Sequence, residues 1–159
     1  MHPNLDPLNI DTAAFWLRLG CAILCGGAIG VERQLRGKAA GMRTSILICL
    51  GSMLFIALGE SFPTARTDPT RVLGQLITGI GFLGAGVILV SDGRILGLTS
   101  AAVVWVLAGI GAMIGMGKLG TALIVTLTML GILIGLELIE SLWKRLTVGR
   151  ELNRLHVDM

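Results

Sequence analysis

The sequence ILGLTSAAVVWVLAGIGAMIGMG, from Ile95 to Gly117, contains 23 residues and no charged side chain. A helix that crosses a bilayer needs about 20 mostly apolar residues, because the hydrocarbon core is about 30 Å thick. Apolar runs of about 10 to 14 residues are more typical of helices buried in soluble proteins. The stretch therefore predicts a helix that spans a membrane.

The same pattern occurs four more times along the chain. The other apolar windows are residues 13–31, 44–59, 72–90 and 119–136. Across all five windows Arg18 is the one charged side chain. Charged residues make up 14% of the chain, whereas soluble domains carry about 25%. This distribution excludes an ordinary soluble enzyme, a disordered chain and a coiled coil, and the continuous apolar runs do not alternate as barrel strands do.

We therefore predict an all-α membrane protein with five transmembrane helices. Their expected bounds are about 13–36, 44–62, 69–90, 95–117 and 119–143. An extracytoplasmic segment, residues 1–12, precedes this domain, and a short basic tail, residues 144–159, follows it.

The distribution of Lys and Arg predicts the orientation. With the N-terminus outside, nine basic residues lie on the inner side and three on the outer side. The positive-inside rule then places the acidic N-terminus outside and the basic C-terminus in the cytoplasm. The N-terminus lacks the basic region of a cleavable signal peptide, so we expect no processing. The net charge of +3 is a topology signal, and we expect no nucleic-acid partner.

The third window contains the unusual sequence GIGFLGAG, residues 79–86. It matches G-x-G-x-x-G, but it lies inside an apolar window without a preceding strand, so a dinucleotide site is rejected. Each glycine costs a helix about 1 kcal/mol relative to alanine, which something must offset. Either neighbouring helices pack on Gly79, Gly81, Gly84 and Gly86, or the helix is broken and lines a polar cavity.

Three Gly-x-x-x-Gly pairs predict close helix packing, because small residues let helix backbones approach each other in lipid. They are Gly26 with Gly30, Gly111 with Gly115, and Gly131 with Gly135. Packing within one bundle explains all three. A homodimer seam on helix five, at Gly131 and Gly135, is the alternative.

The sequence offers few groups for catalysis. Both histidines, His2 and His156, are terminal, and the sequence has no nucleophile elbow, zinc signature or Walker loop. We therefore expect neither an enzyme nor a cofactor. Arg18 either extends to the headgroups or has a partner in the interior.

Polar residues cluster at the predicted helix ends. Carboxylates that suit a hard cation such as Mg²⁺ occur there, although each could also be a cap or an ion pair. The dipeptide Thr44-Ser45, which follows Arg43, occurs again as Thr99-Ser100. This repetition predicts two parallel repeats whose inner loops face each other. The resulting candidate residues for a ligand or partner are Glu32, Arg33, Arg43, Thr44, Asp68, Arg71, Gln75, Asp92, Arg94 and Thr99.

Several separated motifs occur in the order found in one known family. They are GVER at 30–33, RGKAAGMRT at 36–44, DPxR at 68–71 with Gln75, GIGFLGAG at 79–86, and GLTSAA at 97–102 with Trp105. From about Leu17 to Gly117 the chain resembles the MgtC/SapB family. Ser100 stands where many relatives have Thr, which preserves the hydroxyl.

The resemblance implies a bacterial inner-membrane protein linked to growth at low magnesium and, in some pathogens, to survival in phagocytes. It implies regulation of other membrane proteins more than transport. Longer relatives continue into a soluble domain that resembles ACT modules, and we expect none of that domain's functions here. Two hypotheses stay open. One is a non-enzymatic regulator that binds membrane proteins in the lipid bilayer, with a homodimer as one form of this binding. The other is a Mg²⁺ or other cation transporter that uses helix three.

Overall fold

A computed structural model of the chain describes residues 7–61, 69–91 and 94–157. Within this part of the chain the protein has five α-helices and one small two-stranded sheet. The elements are α1 (Ala13–Leu35), α2 (Met42–Ser61), α3 (Pro69–Gly86), β1 (Leu89–Ser91), β2 (Arg94–Leu96), α4 (Leu98–Gly115) and α5 (Leu119–Val157). The helical class predicted from the sequence is confirmed.

Helix ends follow local sequence signals. Gly37 adopts a left-handed conformation after α1, with φ 63°, and the N–H groups of Gly37 and Lys38 donate to the carbonyls of Gln34 and Arg33. These bonds form a Schellman cap, so Gly37 closes helix one as predicted. The start of α3 at Pro69 is also confirmed, because proline is well suited to the first helical position.

Two predicted helix ends were wrong. Helix α3 ends at Gly86 rather than at residue 90, because β1 and β2 form an antiparallel pair in which Val90 lies opposite Ile95. Strands of three residues are too short to give a periodic signal. Helix α5 continues through residue 143 to Val157, so the predicted tail 144–159 is helical over its whole described length.

Helix α2 is packed between two glycine seams. A Cβ atom at Gly26 or Gly30 of α1 would lie 2.8 Å from the Ser45 carbonyl oxygen or 2.5 Å from the Met42 Cα, respectively. A Cβ atom at Gly111 of α4 would clash with the Cys49 carbonyl of α2. Side chains larger than glycine would hold these backbones apart. The first two Gly-x-x-x-Gly pairs thus pack within the bundle, as the sequence predicts.

The seams also give the directions of the helices. Along α4, Gly111 lies against Cys49 and Gly115 against Met53 and Ile56, so α4 runs parallel to α2. Helix α1 is antiparallel to both. Helix α3 connects α2 to α4 and runs antiparallel to both, since its start lies at Gly59 of α2 and its end at Ala101 of α4.

The interior of this bundle is apolar. Its largest fully buried side chains come from α1, α2 and α4, and include Ile29, Met53, Leu107, Ile110 and Ile114. The three cysteines predicted to behave as small hydrophobes are all buried.

Four of the described helices are long and apolar enough to cross a membrane: α1, α2, α4 and the part of α5 from Leu119 to Ile139. Helix α3 has 18 residues, but its first two turns contain Arg71 and Gln75. The chain also divides into two compact units, Met1–Thr126 and Leu127–Met159. The protein is therefore a helical membrane protein with at least four helices suited to spanning.

We expect Gly111→Ala to lower the stability of the bundle by about 1 to 3 kcal/mol, because the new methyl group would push α4 away from α2. Gly109→Ala is the matched control on the same helix, since nothing lies within 4 Å of its Cβ position. That change should be neutral or slightly stabilising. Thermal unfolding in detergent, followed by circular dichroism, compares the two. Equal melting temperatures would show that α2 and α4 are not held by close contact at Gly111.

Candidate functional site

Arg33 lies at one end of the bundle, where α1 ends and α2 and α4 begin; we call this the Arg33 end. Its side chain is only 3% exposed, and Nη2 donates a hydrogen bond of 2.8 Å to Oγ of Ser100 in the first turn of α4. A buried guanidinium is costly unless it is hydrogen-bonded. The bond therefore fastens the end of α1 to the start of α4.

The neighbouring Glu32 is also buried, at 8% exposed. Its carboxylate forms an ion pair with the Nε of Arg36, one turn further along α1. The pair compensates the charges of both side chains at the edge of the bundle, through one of the two carboxylate oxygens. Glu32, Arg33, Arg36 and Ser100 form what we call the Arg33 cluster. In this cluster the Arg33–Ser100 hydrogen bond joins the end of α1 to the start of α4, and the Glu32–Arg36 ion pair lies within α1.

A second arginine acts at the opposite end, where α1 begins and α4 ends; we call this the Arg18 end. Nη1 of Arg18 donates a hydrogen bond of 2.7 Å to the carbonyl oxygen of Gly115. A cation near the last carbonyls of a helix is stabilised by the helix dipole. Of the two expectations for Arg18, the structure shows a partner within the protein. Arginines therefore connect α1 to α4 at both ends.

The predicted ligand or partner residues are divided between these two ends. Arg43, Thr44 and Thr99 are exposed in the first turns of α2 and α4, near the Arg33 cluster. Arg71 and Gln75 are exposed in the first two turns of α3, toward the Arg18 end. The tertiary structure therefore does not bring all the described candidates into one patch.

Three predicted residues have no described side chain. Asp68 and Asp92 lie outside the described residues. Arg94 is described only through its backbone, which pairs with Ser91 in the small sheet. Within the described part of the chain, no group of three His, Cys, Asp or Glu side chains is arranged to hold a metal ion.

The sequence echo between helices two and four has a structural counterpart. In each of these parallel helices the threonine is exposed and the following serine is buried: Thr44 with Ser45, and Thr99 with Ser100. The serine of α4 accepts the Arg33 bond. The predicted sites omitted Ser100, although the GLTSAA motif contained it.

The predicted packing glycines differ in their surroundings. A Cβ atom at Gly84 would be in ordinary contact with Ala101 of α4, at 3.8 Å from its carbonyl oxygen. Among the described residues nothing lies within 4 Å of the Cβ positions of Gly79, Gly81, Gly86, Gly131 and Gly135. These five glycines leave smooth surfaces on α3 and α5.

A groove of about 520 Å³ separates the end of α2 from α3. Its described lining is Phe55, Leu58, Gly59, Val72, Gln75, Leu76, Gly79, Ile80 and Leu83. Gln75 is the one polar side chain in this set. The groove is the size of a small-molecule site, which is about 300 to 1,000 Å³.

These features are typical of a helical membrane protein: the helices are apolar, they pack through glycine, and arginine hydrogen bonds join their ends. The sequence profile of the MgtC family matches residues 19–142. The chain therefore belongs to the MgtC family, as the sequence motifs indicated.

Curated relatives agree with this assignment. The chain is 49% identical over 113 residues to YhiD of Escherichia coli K12, which is named as a candidate magnesium transporter, and the match covers 67% of this chain and 53% of YhiD. It is 43% identical over 114 residues to protein MgtC of Salmonella typhimurium LT2, covering 72% and 48%. Protein MgtC of Brucella abortus is 39% identical over the same shares. The chain spans about half the length of these relatives, and no solved structure matches it.

Removing the hydroxyl with Ser100→Ala should lower stability by about 1 to 3 kcal/mol, because it leaves a buried guanidinium donor without its acceptor. Ser100→Thr should retain most of the stability, since it keeps the hydroxyl. Thermal unfolding of both variants in detergent tests this expectation.

A double-mutant cycle with Arg33→Met separates the bond from packing effects, because paired residues show a coupling energy that independent ones lack. Additive losses in the cycle would contradict the assigned Arg33–Ser100 contact.

Proposed function

We propose that the chain is a bacterial inner-membrane protein of magnesium homeostasis that acts by binding and regulating other membrane proteins, and that it is not an enzyme. Membership of the MgtC family and the name of the E. coli relative support the link to magnesium. The partners would meet it within the bilayer, through helix faces rather than through a catalytic site.

The observation that carries this proposal is that some glycines contact a neighbouring helix of the bundle, whereas others have no described neighbour at their Cβ positions. Helix α2 packs closely against four of the glycines, namely Gly26, Gly30, Gly111 and Gly115. Gly81 on α3 has open space at its Cβ position. Lipid gives helices no hydrophobic reason to associate, so open small-residue faces favour the close approach of another helix. Gly131 and Gly135 offer a similar face on α5, which suits a second copy.

The continuity of α3 also supports regulation over transport. The helix runs without interruption from Pro69 through the glycine sequence to Gly86. Its backbone groups are therefore engaged in helical hydrogen bonds, whereas a broken helix would free carbonyls to line an ion path. The glycine sequence thus fits an unbroken helix better than a broken helix that lines an ion path.

Cation transport is the second candidate, favoured by the name of the E. coli relative. In that case the exposed polar residues at the helix ends would attract the ion. Glu60 is one such carboxylate at the Arg18 end, since it lies in the last turn of α2.

We also propose five membrane crossings with the N-terminus outside. The parallel packing of α2 and α4 supports this number: α2 ends at the Arg18 end and α4 begins at the Arg33 end, so the intervening chain has to return across the bundle. Helix α3, at 18 residues, extends about 27 Å at a rise of 1.5 Å per residue. That length is close to the hydrocarbon thickness of about 30 Å.

Cysteine labelling distinguishes five crossings from four. Lys38, between α1 and α2, and Lys118, between α4 and α5, should lie on opposite sides if α3 crosses and on the same side if it does not. We expect a membrane-impermeant maleimide to label Lys118→Cys in intact cells and Lys38→Cys only after permeabilisation. The native cysteines are buried, and the unsubstituted protein controls for their labelling. Equal labelling of both positions in intact cells would overturn the topology.

The regulator proposal predicts that Gly81→Leu abolishes support of growth at low magnesium in a strain lacking its own MgtC-family protein. The leucine would block the open face of α3 without touching the bundle. Gly20→Leu is the control, because this glycine also has nothing within 4 Å but lies on α1. Membrane levels of both variants have to match the unsubstituted protein, and growth with Gly81→Leu would count against the α3 face.

A flux assay on the same protein tests the alternative. Liposomes that contain the folded protein and a trapped Mg²⁺ indicator should show no saturable uptake, with or without a membrane potential. Saturable uptake that Asp68→Asn, Asp92→Asn or Glu60→Gln reduces would establish transport instead.

A further inference from the structure

The groove between α2 and α3 has a gradient of polarity along one face of α3. Arg71, Gln75, Gly79 and Leu83 are spaced by four residues, so they follow one another along the same helix face. The last three line the groove, and Arg71 precedes them by one turn, exposed. From the Arg18 end inward the face thus changes from a cation, to an amide, to bare backbone, to an apolar side chain.

The length of this helix face is close to the thickness of one leaflet of the bilayer. From Arg71 to Leu83 the helix rises about 18 Å, at 1.5 Å per residue. Half of the hydrocarbon core is about 15 Å thick. The face therefore extends from the headgroup region to near the middle of the bilayer.

The floor of the groove is open. Nothing described lies within 4 Å of the Cβ position of Gly79, and Leu83 and Phe55 are 51% and 60% exposed. On the other wall, Gly59 packs closely on Val72, which holds the end of α2 against the start of α3. An occupant would meet apolar walls along its length and one amide near its polar end.

We propose that this groove binds one diacyl phospholipid. The guanidinium of Arg71 would pair with the phosphate, the Gln75 amide would donate to an ester carbonyl, and one acyl chain would lie over Gly79 toward Leu83. The occupant is favoured by the charges on α3, since the described lining contains no carboxylate and the Arg71 guanidinium stands one turn before it. A phospholipid has the same order of groups as the helix face, from anion to ester to hydrocarbon.

This site is distinct from the face proposed for partner helices. Gly81 does not line the groove, and two residues of helix separate it from Gly79 by about 200°, at 3.6 residues per turn. Loss of lipid binding and loss of regulation can therefore be produced by different substitutions.

Native mass spectrometry of the full chain in detergent, with added dioleoyl phosphatidylglycerol, tests the proposal. We expect the protein to retain one lipid. Gly79→Leu should weaken retention by about tenfold, which corresponds to about 1.4 kcal/mol, because leucine fills the floor. Gly74→Leu is the matched control on α3: its Cβ position is also open, but it does not line the groove. Circular dichroism spectra establish that both variants fold.

A second arm tests the phosphate contact. The unsubstituted protein should retain phosphatidylglycerol better than dioleoylglycerol, which lacks the phosphate, and Arg71→Gln should remove this preference. Equal lipid retention by Gly79→Leu and Gly74→Leu would overturn the proposal. So would a protein dimer that Gly79→Leu abolishes while lipid retention is unchanged, because the occupant would then be a second copy.

Discussion

The close approach of α2 to its neighbours is the constraint on which the bundle depends. Gly26 and Gly30 bring α1 against α2, and Gly111 and Gly115 bring α4 against its other side. Water cannot drive these helices together inside a bilayer, so contact between backbones has to supply the attraction. Because α2 is held on two sides, the positions of α1 and α4 are fixed relative to each other, and the polar groups at their ends can meet.

Those polar groups lie at the two ends of the α1 and α4 pair. At one end Arg33 donates to Ser100, and at the other Arg18 donates to the carbonyl of Gly115. Between them the interior is filled mainly by apolar side chains and cysteines, with the hydroxyls of Ser45 and Ser52 also buried. Charged groups are thus placed where they can reach partners or headgroups, while the hydrocarbon depth is left to packing. Of the arginines considered as ligand-binding groups, Arg33 therefore serves to join helices.

Helix α3 has a different role in the architecture. It returns the chain between two parallel helices and packs on them through Gly84 and Val72, so most of its surface is left open. One side carries the exposed Gly81, and another lines the groove with α2. The proposed regulation and the proposed lipid site both use α3 for this reason. A helix that contributes little to the buried interior can keep its surfaces for other molecules.

The sequence by itself determined the membrane class, most helix starts, the cap at Gly37 and the two internal glycine seams. These features depend on local composition and on spacing along one helix, which a sequence contains directly. The tertiary structure decided which distant residues meet: it paired Arg33 with Ser100, placed Arg71 and Gln75 away from Arg43 and Thr99, and inserted the small sheet before α4. Such contacts depend on the relative positions of several helices, and helix spacing alone does not specify them.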